Sequence, residues 1–156
     1  MRTVDIPGRG RLEIAHLVLD LNGTLAVDGA VAQTVVERLQ TLSRIVQVHI
    51  VTADTFGTAA KLGGFGVHVQ VLEPGDQVEA KAALVRALGA THTMAVGNGA
   101  NDEGMVREAA LGIAIVGHEG AFARTALAAD IVATCVEDAL DLLLIPKRLI
   151  ATLRTR

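Results

Sequence analysis

The apolar run His16-Leu17-Val18-Leu19 ends on a carboxylate, Asp20, and a Gly23-Thr24 turn follows almost at once. A carboxylate closing a buried strand lies at the carboxyl edge of a sheet, where open α/β sheets build their sites. Asp20 is therefore the leading candidate for chemistry. Three other places carry chemically able groups at strand ends or in nearby loops: Thr52, Lys81 and the loop Gly97-Asn98-Gly99-Ala100-Asn101-Asp102.

Lys81 is the most informative of these. Projected at about 100° per residue, Val78, Ala82, Leu84, Val85 and Leu88 fill one arc of a helix, and Lys81 falls inside it. Two readings fit: a snorkelling surface lysine, or an ammonium pushed past the sheet edge toward an anion. The glycine-rich loop is equally two-sided. It is either a turn into a helix capped by Asn98 or Asn101, or a loop whose backbone and Asn/Asp oxygens meet a phosphate and a metal. His16, His49, His68, His92 and His118 show no metal-ligand spacing. Cys135, the only cysteine, lies in Ile131-Val132-Ala133-Thr134-Cys135-Val136 and reads as a buried structural thiol.

These residues need a scaffold, and the sequence supplies one of alternating strands and helices. Thr3–Ile6 and Arg11–Ala15 read as a hairpin around Pro7-Gly8-Arg9-Gly10, within residues 1–15, leading into the core strand His16–Asp20. Val27-Asp28-Gly29 marks a loop, and Val31, Val35, Leu39 and Leu42 recur at helical spacing. Strands are expected at Val46–Val51, Val67–Leu72, Thr93–Val96, Gly112–Val116 and Ile131–Ala133. Helices are expected at Thr55–Leu62, at Asp76–Leu88 with Asp76 as N-cap, at Glu103–Ala110 and at Gly120–Ala128. A last one, Val136 to about Thr152, should be bent or broken by Pro146. The pattern implies one three-layer α/β/α domain over residues 1–156, with a mainly parallel, Rossmann-like sheet.

Composition agrees with this reading. The 156 residues are 51% hydrophobic but only 2% aromatic, with 16 glycines, so the core must be Ala, Val, Leu and Ile in tightly packed parallel layers. A net charge of −3 gives no reason to expect nucleic acid as a partner. Mean hydropathy is +0.44, yet no apolar run approaches the roughly 18 residues of a membrane span. Charged residues interrupt the N-terminus, so no signal peptide is expected. The expectation is a cytoplasmic protein.

Taken together, the motifs resemble the haloacid dehalogenase-like superfamily of phosphotransferases. Asp20-Leu21-Asn22-Gly23-Thr24-Leu25 is similar to its first motif, D-x-D-G-T, or D-K-T-G-T-L in P-type ATPases. Thr52 matches the second motif, Lys81 the third, and Gly97–Asp102 resembles the fourth, G-D-G-x-N-D. Within the superfamily the likeness is to the P-type ATPase phosphorylation domain and to small soluble proteins resembling it.

The resemblance implies that Asp20 attacks a phosphoryl group and forms an aspartyl phosphate with Mg²⁺. Thr52, Lys81 and Asn101, with backbone N–H groups of Leu21 and Ala53, would hold the phosphoryl oxygens. Asp20, the Asn22 carbonyl, and Asn98 or Asp102 would hold the metal. Asn22 stands where family phosphatases carry an acid–base aspartate, a function worth roughly 10²–10⁴-fold, so turnover should be slow. Asn98 stands where the direct metal-binding aspartate is usual, so Mg²⁺ affinity should be weak.

No segment after Thr24 or within Glu73–Gly75 is long enough for a cap domain. An uncovered site suits a phosphorylated small molecule or macromolecule, with a second copy in a homo-oligomer as a possible cover. The alternative function is a catalytically degenerate binding or regulatory module of the same fold. A receiver-type signalling domain is excluded, because its aspartate follows the third strand.

Overall fold

A computed structural model describes residues 1–53 and 57–156. Its centre is a six-stranded, all-parallel sheet. In chain order its strands are β3 (His16–Asp20), β6 (Gln47–Thr52), β7 (Val67–Val71), β8 (Thr93–Gly97), β9 (Leu111–Ile115) and β10 (Ile131–Ala133). Across the sheet the order is β10-β9-β8-β3-β6-β7. The chain therefore moves outward from β3 through β6 to β7, then returns to β8 on the opposite side. That reversal leaves a crevice at the carboxyl ends of β3 and β8, the usual place for a site in such sheets.

Strand alternation divides the core between two faces. Leu17, Leu19, Val48, Ile50 and Val96 pack on one face under α1 (Gln33–Leu42), α6 (Val136–Leu144) and α7 (Pro146–Leu153). Val18, Val51 and Ala95 pack on the other with Val85 of α3 (Gln77–Leu88) and Met105 of α4 (Glu103–Glu108). Two short helices complete the layers, α2 (Thr58–Leu62) and α5 (Ala123–Ala128). Of the expected helix Thr55–Leu62, the first residues, Thr55 and Phe56, lie outside the described ones. Pro146 divides the C-terminal helix as expected. It occupies the first turn of α7, where its missing N–H has no intrahelical partner to lose.

The N-terminal hairpin, β1 (Arg2–Ile6) and β2 (Gly10–Ile14), forms a separate antiparallel ribbon. Val4, Ile6 and Ile14 are buried in the main core, and Thr155 N–H donates to the Pro7 carbonyl at 3.0 Å. The expected loop at Val27–Gly29 proves to be a second, smaller hairpin of β4 (Ala26–Val27) and β5 (Ala30–Val31). Its turn residues Asp28 and Gly29 have φ of 51° and 78°, the mirror-image geometry that a tight hairpin needs.

Two expectations are corrected here. Cys135 is half-buried, not enclosed; it precedes α6, and its thiol donates to Asp138 Oδ2 at 3.3 Å. Val78, expected within the apolar arc of α3, is 40% exposed. Among the described residues no helix is long and apolar enough to cross a membrane.

Histidines scattered in sequence meet on the sheet. His49 lies opposite His68 in the β6–β7 register, with ring centroids 5.1 Å apart, and His16 Nδ1 is 3.3 Å from His49 Nε2. Burial, then the neighbouring His68 and His16, lower the His49 pKa to about 4. An unfolded imidazole takes its proton near 6.5, whereas the folded one resists until about 4, so the fold loses stability as pH falls through that window. Thermal unfolding followed from pH 7 to pH 4 should show this loss, and His49→Asn should make the decline shallower. Equal declines in both proteins would contradict the assignment.

Candidate active site

Asp20 closes β3 and is 6% exposed. Lys81 lies one turn into α3, whose start is fixed by Asp76 accepting from Glu79 N–H at 3.1 Å. That start places Lys81 under the crevice, and its side chain is wholly buried. Its Nζ donates to Asp20 Oδ1 and to Asp102 Oδ1, each at 2.7 Å. The snorkelling reading of Lys81 is thereby excluded. Three distant segments converge on one ammonium.

Asp102 plays a different part from the direct metal ligand expected of it as one option. Its Oδ2 accepts from Asn98 N–H and Gly99 N–H, both at 2.9 Å, while Oδ1 accepts from Lys81, and the residue is 0% exposed. Asp102 therefore ties the glycine-rich loop to the lysine and offers no open oxygen to a cation. Gly97 is required by this arrangement, because a Cβ there would stand 2.5 Å from Asp102 Cβ and Cγ.

Thr24 links the first and fourth segments. Its hydroxyl lies 3.4 Å from Asp20 Oδ2 and 3.3 Å from Asn98 Oδ1. Sequence reasoning gave Thr24 no role beyond the turn. Asn98 is buried, and its Nδ2 is 3.4 Å from the Gly120 carbonyl. One carboxylate oxygen and one amide oxygen thus flank the same hydroxyl, a hard-oxygen set suited to Mg²⁺ but poor in charge. Among the described residues no three His, Cys, Asp or Glu are grouped to hold a metal ion.

The remaining expected residues lie around this centre. Thr52 ends β6, beside β3, and is 1% exposed; Ala53 follows it on the surface. Leu21 is buried, and its backbone N–H favours the ionised form of the neighbouring Asp20 carboxylate. Asn22 is exposed on the crest. Asn101 donates one Nδ2 hydrogen to Gln77 Oε1 at 3.0 Å, which orients the amide and leaves its second hydrogen for a phosphoryl oxygen. A cavity of about 380 Å³ opens beside Gly23 and Thr24, lined in part by Val35, Ile115, His118 and Cys135. It touches the site through the crest of the first segment only.

Electrostatically, the centre holds two carboxylates against one ammonium. Burial, and next the charge of Asp102, push the Asp20 pKa up to about 6 despite the opposing pull of Lys81. Burial also works against the Lys81 ammonium, but the charges of Asp20 and Asp102 and the hydrogen bonds to both outweigh it and hold its pKa above the usual value. Removing Lys81 strands two buried anions, a loss of about 3–5 kcal/mol. Lys81→Met should show this by urea unfolding at pH 7.5. Because the folded Asp20 pKa is raised, protonation relieves the strain, so the loss should shrink at pH 5. Equal losses at the two pH values would contradict the picture.

Comparison with known proteins follows the same lines. No family model matches the chain. An uncharacterized protein of Methanocaldococcus jannaschii is 52% identical over 61 residues, a stretch covering 39% of this chain and 66% of that protein. A second uncharacterized protein of the same organism is 46% identical over 39 residues, covering 25% of this chain and 89% of that one.

Solved structures match far more of the chain. A 3-deoxy-D-manno-octulosonate 8-phosphate phosphatase from Moraxella catarrhalis, solved with magnesium, phosphate and sugar, aligns with a TM-score of 0.71 at 21% identity, over 90% of this chain and 94% of that one. The cobalt-bound phosphatase of Haemophilus influenzae gives 0.71 at 14% identity, over 92% and 94%. A HAD superfamily (subfamily III A) hydrolase from Legionella pneumophila gives 0.70 at 19%, over 89% and 86%. With the central parallel sheet and the convergence at its carboxyl edge, these likenesses establish that the chain has the haloacid dehalogenase-like (HAD) fold.

Proposed function

We propose that the protein is a slow, Mg²⁺-dependent phosphohydrolase or phosphotransferase acting through an aspartyl phosphate on Asp20. One observation carries this reading: the wholly buried Lys81 donates at 2.7 Å to both Asp20 and Asp102. A lysine buried this deeply at the carboxyl edge of the sheet gathers and steadies negative charge there, which is what a phosphoryl-transfer site needs. Structural likeness to HAD-family phosphatases supports the hydrolytic class.

In the reaction, an Asp20 carboxylate oxygen attacks phosphorus while the bond from phosphorus to the leaving oxygen breaks. Lys81 donates to the phosphoryl oxygens or to Asp20 as charge shifts between them, and Asp102 keeps the ammonium in place. Thr52 ends β6 beside Asp20, and its hydroxyl, with the N–H of Ala53, would steady the same group. Water then displaces phosphate and returns the Asp20 carboxylate.

With Asp20 and Asp102 both ionised, Lys81 leaves one excess negative charge, which repels an incoming phosphate. Asp20 Oδ2, Asn98 Oδ1 and the Asn22 carbonyl would hold Mg²⁺, which supplies the missing positive charge when bound. The leaving oxygen takes its proton from water, because Asn22 has none to give. That step limits the rate.

Incubation with Mg²⁺ and acetyl phosphate should label the protein with one acid-stable, base-labile phosphoryl group, absent in Asp20→Asn. Hydrolysis of p-nitrophenyl phosphate should be slow in the wild type and rise in Asn22→Asp by up to roughly 10²-fold. If wild type and Asp20→Asn release the same background phosphate and neither is labelled, the degenerate binding module replaces the enzyme.

A further inference from the structure

The strand order separates the crevice into two sides. Thr52 lies on the β6 side of Asp20, and Asn98 on the β8 side. Continuing outward from Asn98, β9 ends at Ile115 and delivers the turn Gly117-His118-Glu119-Gly120 to the same edge. That turn is not loosely placed. Gly120 N–H donates to the Gly117 carbonyl at 3.0 Å, Phe122 N–H donates to the Asn98 carbonyl at 2.8 Å, and Asn98 Nδ2 reaches the Gly120 carbonyl at 3.4 Å. The turn and the Asn98 loop therefore form one unit.

Glu119 projects from this unit over the first segment. A methyl group placed on Gly23 would overlap Glu119 Oε2 while standing 2.7 Å from Asn98 Nδ2 and 3.1 Å from Asn98 Oδ1. The Glu119 carboxylate and the Asn98 amide thus lie within about 5 Å of each other over the crest. Gly23, at φ 77°, leaves room for both. In the loop after β8, Asp102 is enclosed with Lys81 and Asn98 is neutral, so that loop itself presents no free carboxylate at the crest.

We infer that Glu119 supplies the carboxylate charge that Asn98 lacks, holding a divalent cation at the crest through its hydration water and so restoring part of the affinity of the site. This rests on the reading of Asp20 as a Mg²⁺-assisted nucleophile. Glu119 is a positioning residue in this scheme, since it acts on the cation and not on the phosphoryl group. Partners of this kind set metal affinity by roughly 10–100-fold.

The test is Mn²⁺ binding to the phosphate-free protein, followed by the electron paramagnetic resonance signal of free Mn²⁺, which needs no turnover. Wild type should bind one Mn²⁺, and Asp20→Asn should abolish saturable binding. Glu119→Gln should weaken the Kd at least tenfold, whereas Glu37→Gln, which removes the same charge from an exposed position on α1, should leave it within twofold. Adding Asn98→Asp to Glu119→Gln should recover the loss. If wild type binds no Mn²⁺, the metal-assisted reading fails and takes this inference with it. If wild type binds and Asp20→Asn does not, but Glu119→Gln matches Glu37→Gln, the role of Glu119 alone is overturned.

Discussion

A single ammonium, buried between two carboxylates, governs the architecture of this protein. Lys81 is charged, has no access to water, and stands 2.7 Å from oxygens of both Asp20 and Asp102. A buried ion costs several kcal/mol of desolvation unless partners surround it, so α3, β3 and the loop after β8 are obliged to keep their relative positions. Asp102 extends the constraint, because its second oxygen fixes the backbone of Asn98 and Gly99. The rim at the carboxyl ends of β3 and β8 is thus held by electrostatics from beneath, while the Val, Leu and Ile layers hold the strands that carry it.

Much of this was legible in the residues themselves. Strand β3 was readable to its last residue, because an apolar run stopped abruptly at a carboxylate. Lys81 stood out by lying inside an apolar arc of α3, but the sequence leaves it either snorkelling to the surface or reaching an anion, and its burial decides between them. The break at Pro146 followed from its missing N–H. What escaped were properties created by the third dimension. Asp102 reads as a free acid in sequence, and only its contacts reveal that backbone N–H groups and Lys81 occupy it.

His16, His49 and His68 are far apart along the chain and meet because three parallel strands fall into register. Cys135 was misjudged because the apolar residues before it form the sheet's last strand, beyond which the chain emerges. Glu119 carries a weaker signal, an acid in the Gly117-His118-Glu119-Gly120 turn four residues past the buried strand β9, at the edge that Asp20 also occupies. The Asp28-Gly29 pair likewise announced the small hairpin, since both residues tolerate positive φ.

The chemistry follows from how charge is distributed across the crevice. In the proposed reaction the β6 side supplies Thr52 and Ala53 to the phosphoryl oxygens and the β8 side supplies Asn98 to the cation, with Asp20 shared between them. In the proposed reaction, amides at Asn22 and Asn98 carry neither a transferable proton nor a negative charge, and this is why turnover is proposed to be slow. The most direct test of the central claim is a crystal structure with Mg²⁺ and beryllium fluoride, a mimic of the phosphoryl group. The account predicts beryllium bonded to an Asp20 oxygen, with Lys81 Nζ within hydrogen-bond distance of both a fluoride and Asp102. Lys81 turned away from Asp20, or beryllium fluoride bound elsewhere with Asp20 bare, would contradict it.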